Sequence, residues 1–82
     1  MKTVRLTEET IEYQGLTLLR IQALRDFTVQ GMEVSAGEMG GYLEKERNLS
    51  QDDNAWVYGD AEVYGDAWVY GDAWVYGNAR VS

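Results

Sequence analysis

Cysteine and histidine are both absent from this chain of 82 residues. The first absence removes disulfides and thiolate metal sites, and the second removes the usual zinc ligand and the commonest general base. No catalytic constellation stands out in what is left, so no enzyme and no cofactor is expected. Long apolar runs are missing too: nothing approaches the ~20 residues of a membrane span. The amino terminus turns acidic at Glu8 and Glu9 before any apolar run of signal-peptide length, which predicts a soluble, cytoplasmic protein. Basic residues are scarce, 7 against 14 acids, for a net charge of −7. The imbalance sits in the second half, where Asp52, Asp53, Asp60, Glu62, Asp66 and Asp72 face only Arg80. Such a surface repels phosphate backbones, which argues against nucleic acid and leaves basic proteins or cations as partners. The same charge also keeps an aromatic-rich surface in solution.

What the chain has in abundance is a repeat. From Ala55 to Ser82 the hexapeptide Ala-Trp-Val-Tyr-Gly-Asp recurs with small variations. A fixed six-residue period marks units that cannot bury their apolar faces alone and must stack. Strand alternation sends Ala55 and Val57 one way and Trp56 and Tyr58 the other. Gly59-Asp60, Gly65-Asp66, Gly71-Asp72 and Gly77-Asn78 then supply a corner every six residues, since Gly, Asp and Asn tolerate turn conformations. Three faces joined by three corners predict a triangular coil of 18 residues with Val and Ala inside. That period stacks Trp56 on Trp74, Val57 on Val75 and Glu62 on Arg80. Leu43 and Leu49 share the six-residue spacing, so the coil is expected to begin near Gly41, with a two-residue insertion near 50–53 bulging outward as a polar loop.

Before the repeat, Ile11-Glu12-Tyr13 and Leu16-Thr17-Leu18 flank Gln14-Gly15, the pattern of a β-hairpin with Gly at a positive φ. The second arm continues with Leu19, Ile21 and Ala23 alternating against Arg20, Gln22 and Leu24. A helix over 16–25 is the competing reading; strand is preferred because the alternation is continuous and no helix cap precedes it. Residues 26–41 are punctuated by Gly31, Gly37, Gly40 and Gly41, which predicts short strands and tight turns.

The aliphatic residue with a small residue two positions before it, repeated over Ala55 to Ser82, resembles the hexapeptide-repeat left-handed β-helix. More narrowly, Leu19 to Phe27, Gly40 to Ser50 and the repeats together resemble small, largely uncharacterised phage and prophage proteins in which an amino-terminal β module feeds such a helix. The left-handed winding is implied by the resemblance alone. The expected fold is thus all-β: a short left-handed parallel β-helix over 41–82, preceded over 1–40 by a β-hairpin and irregular β cap, one structural domain overall. Acyltransferases and carbonic anhydrases of that fold depend on histidine, so the analogy carries no activity here.

Two sets of side chains are candidate sites. The outward aromatics Trp56, Tyr58, Tyr64, Trp68, Tyr70, Trp74 and Tyr76 suit a partner surface, because aromatic residues are enriched where proteins bind; stacking ladders that hold the coils together account for them equally. The corner acids Asp60, Asp66 and Asp72 would flank that surface. Their six-residue spacing departs from the nonapeptide of calcium-binding β-rolls, so turn chemistry suffices to explain them. An open last coil at Arg80, Val81 and Ser82 predicts a homo-oligomer, a dimer joined through that end. The expected function is a non-enzymatic phage or prophage protein-binding module that inhibits a host defence protein. A structural or carbohydrate-contacting virion component is the alternative.

Overall fold

The computed structural model describes residues 3–51 and 54–82. The amino-terminal hairpin forms as the local chemistry predicts, with longer arms. β1 (Val4–Tyr13) and β2 (Leu16–Ala23) pair antiparallel around Gln14 and Gly15, both with positive φ, the pattern of a type I′ turn. The ladder slips between Leu6 and Thr10, where β1 carries extra residues. Thr7 fills the gap, donating from Oγ1 to the Arg20 carbonyl at 2.8 Å and accepting from the Glu9 amide. A second hairpin, β3 (Phe27–Val29) and β4 (Met32–Val34), turns at Gln30 and Gly31 with the same pair of positive φ values.

β5 (Met39–Leu43) then lies antiparallel beside β2. The register shifts opposite Ile21, so β2 does not bury every second residue as strict alternation implies: Leu18, Ile21 and Ala23 are buried, and Leu19 only half so. Arg20 bridges the irregularity, donating to the Gly40 carbonyl at 3.0 Å and to Glu9 at 2.9 Å. The bond to Glu9 raises the already high pKa of the Arg20 guanidinium. A 3-10 turn (Glu46–Asn48) follows, and then four two-residue strands: β6 (Trp56–Val57), β7 (Glu62–Val63), β8 (Trp74–Val75) and β9 (Arg80–Val81).

These strands correct the expected architecture. The fold is all-β, but not a parallel β-helix. The largest sheet has the order β1-β2-β5-β7-β9, antiparallel on the hairpin side and parallel on the repeat side, and it stays open. β6 and β8 make a separate two-stranded ladder, and among the described residues the third side of the repeat has only the isolated bridge Leu49 to Val69. The physical reason lies at β5. Its free edge pairs with the hairpin, so the first turn of the repeat continues a mixed sheet instead of a closed coil.

The eighteen-residue spacing itself is present where the strands pair: Trp56 opposite Trp74, Val57 opposite Val75, Glu62 opposite Arg80 and Val63 opposite Val81. The first pairings, Tyr42 with Glu62 and Leu49 with Val69, are two residues longer, which absorbs the insertion. That insertion is not an outward bulge where it is described. Ser50 is buried, and the Gln51 side-chain oxygen accepts from the amides of Thr3 and Val4 at 2.8 and 3.0 Å, tying the start of β1 to the repeat. Asp52 and Asp53 lie outside the described residues.

The core gathers both halves. Ile21, Leu43, Leu49, Val57 and Val63 are at most 1% exposed, with Phe27 and Val34 packed against them from the second hairpin. The Val column loses its cover towards β8 and β9, where Val75 and Val81 are half-buried. Among the described residues no helix is long and apolar enough to cross a membrane.

Candidate functional site

The aromatic residues of the repeat divide by what the amino-terminal half covers. Trp56 does not face outward as expected. It is 0% exposed, with its ring edge-on to Phe27 at 5.6 Å, because the 27–34 hairpin lies over the β6 side of the repeat. The missing side chain of Gly40 makes room for the indole: a Cβ there would sit 2.8 Å from Trp56 Cζ2. Eighteen residues further on, Trp74 is half-buried between Tyr58 and Tyr76, at centroid distances of 6.5 and 4.9 Å. Tyr64 is also half-buried, tilted against Tyr13 of β1 at 5.6 Å.

Four rings remain outside: Tyr58 (42% exposed), Trp68 (57%), Tyr70 (58%) and Tyr76 (60%). Trp68 and Tyr70, two residues apart on an extended segment, project to the same side and stack at 4.6 Å with planes 29° apart. Asp60, Asp66 and Asp72 are all exposed; Asp66 and Asp72 flank this segment in the chain, whereas Asp60 interacts electrostatically with Arg20 of β2. Among the described residues no three His, Cys, Asp or Glu side chains converge as a metal site would require. Arg80 is exposed but engaged, donating to buried Glu62 at 3.1 Å with its guanidinium over the Tyr13 ring at 4.6 Å; Ser82 is exposed beside it.

Residues outside the repeat hold the Trp68 corner in place, and sequence reasoning missed them. Asn48 is fully buried. Its Nδ2 donates to the carbonyls of Gly65 and Ala67 at 3.2 and 2.8 Å, while its Oδ1 accepts the Lys45 amide at 2.7 Å. Glu44 accepts the Gly65 amide at 2.8 Å, and the Val69 amide donates to the Asn48 carbonyl at 2.9 Å. The turn before Trp68 and the residue after it are thereby fixed to the 3-10 turn. In the six-residue register Asn48 aligns with Trp56, Glu62 and Trp68, a position read as outward; the 3-10 turn re-aims it. Its being a small uncharged amide among charged neighbours was the only available signal.

Between the 3-10 turn and this corner runs a groove of about 680 Å³. Half-buried Ala67 and the exposed Trp68 ring give it apolar surface, with Leu49 buried beneath, and Glu46, Arg47 and Asp66 supply its charge. No protein-family model matches this chain, and no curated protein does. The reading of the surface therefore stands on its own geometry.

Proposed function

We propose that this chain is a non-enzymatic protein-binding module that engages a basic partner through the acidic, aromatic side of its repeat. The observation that carries the reading is the Trp68–Tyr70 stack, more than half exposed on a backbone held by buried Asn48. Soluble monomers rarely display contiguous aromatic area, and rigid stacked rings lose little conformational freedom when a partner covers them. The net charge of −7 favours association with a basic surface and disfavours nucleic acid. The setting follows from the resemblance set out above: a phage or prophage protein acting in the host cytoplasm, in its most specific form as an inhibitor of a host defence protein.

Self-association belongs to the same proposal. β8 and β9 are edge strands, and the half-buried Val75 and Val81 lie along them. A second copy meeting that end, including Arg80, Val81 and Ser82, would cover both edges.

The test is capture from bacterial lysate by the wild type and by Trp68→Ala and Tyr70→Ala variants matched for thermal stability. The proposal expects a basic protein that the wild type retains and both variants release. Retention of the same proteins by all three forms contradicts it. Glycan-array binding without protein capture points instead to a carbohydrate-contacting virion component.

A further inference from the structure

The groove beside Trp68 has a specific chemistry. Half-buried Ala67 and the exposed Trp68 ring give it apolar surface for a hydrocarbon stem, the indole also offers a π face, and Glu46 and Asp66 are acidic. An arginine of the chain itself already tests the acid. Arg47 Nη2 lies 3.6 Å from Asp66 Oδ1, longer than the ~2.8 Å of a charge-assisted hydrogen bond, and both side chains are largely or fully exposed. Such a pair is weakly held and easily exchanged.

We infer that this groove is the docking subsite for an arginine side chain of the partner. The incoming guanidinium takes the place of Arg47 at Asp66 and lies against Trp68, while its methylene stem packs along Ala67. Lysine fills the site less well, because an ammonium is a strongly hydrated point charge that neither stacks nor makes a planar fork to a carboxylate. The inference rests on the protein-binding reading above and names the chemistry of its anchor.

The probe is a terminally blocked hexaarginine peptide compared with hexalysine, titrated calorimetrically at fixed ionic strength near that of the cell. Hexaarginine is expected to bind about tenfold more tightly than hexalysine, the scale of one cation–π contact. Asp66→Asn and Trp68→Leu, the latter keeping apolar bulk and removing the ring, should each weaken hexaarginine by about fivefold or more. Removing the internal competitor should do the opposite. Arg47→Gln is expected to tighten hexaarginine about threefold, whereas Arg5→Gln, the same charge change on β1 outside the groove, should alter it less than twofold. Equal binding of the two peptides, or indifference to Trp68→Leu, overturns the inference. If that happens while a captured partner still requires Trp68 and Tyr70, the arginine subsite is wrong and the protein-binding surface stands; if capture is also indifferent to those rings, both fall.

Discussion

Gly40 and Gly41 show how much a single methyl group decides in this fold. A Cβ at Gly40 would lie 2.5 Å from the Val57 carbonyl oxygen, and one at Gly41 would lie 2.5 Å from that of Ala61. Both clashes are with backbone, which no rotamer change relieves. Gly40→Ala and Gly41→Ala are each expected to cost about 3 kcal/mol, the upper end for overpacking, read as a lower urea midpoint at unchanged m-value. Gly77 is a contrast: its φ of +68° is strained for any other residue, but a Cβ there meets nothing. Gly77→Ala should therefore cost only about 1 to 2 kcal/mol. Asn48→Ala removes a donor to two carbonyls and an acceptor from one amide, all inside the protein, and should cost about 3 kcal/mol in the same assay. A loss below about 1 kcal/mol for either Asn48→Ala or Gly41→Ala contradicts the packing described. The sequence marks these glycines as punctuation only. Their real constraint, close approach of β5 to the repeat, depends on Val57 and Ala61, which no local pattern brings near them.

The first hairpin was legible at the scale of elements because turn chemistry is local; around Gly31 the sequence predicted short strands and tight turns, and the structure pairs them as a second hairpin. Gln14-Gly15 and Gln30-Gly31 specify their turns without help from the rest of the chain. The period of the repeat likewise predicted which residues pair, Trp56 with Trp74 and Glu62 with Arg80. It could not predict what lies beside the first strand. Periodicity fixes register among like segments, and the β-helix expectation failed because β5 pairs with an antiparallel hairpin that carries no repeat signal. The second hairpin, β3–β4, covers Trp56 alone and so splits the tryptophans, which yields an optical prediction. In variants that keep one tryptophan and replace the others by Phe, Trp68 alone should be quenched by acrylamide several-fold more than Trp56 alone, which should also emit further to the blue. Equal quenching of the two contradicts the burial of Trp56 against Phe27.

Across the whole molecule, charge and edges matter more than any one contact. Of the candidate surface, the exposure of Tyr58, Trp68, Tyr70 and Tyr76 was readable from strand alternation. The loss of Trp56 to the core was not, because it depends on packing between halves distant in sequence. What remains outside is a stacked pair among exposed acids and, at the β8–β9 end, two strands with open edges. An 82-residue chain has a thin margin of stability, and covering those edges adds to it. Sedimentation equilibrium at tens of micromolar is expected to give the mass of a dimer, weakened by Val81→Asp; a strict monomer at that concentration contradicts end-to-end association.

The central claim, that the Trp68 side of the repeat is the binding surface, is tested most directly by hydrogen exchange of the complex with the captured basic partner. The account predicts partner-dependent protection concentrated over 66–72, with β1 and β2 exchanging as in the free protein. Protection confined to the β1–β2 hairpin, with 66–72 unchanged, would contradict it.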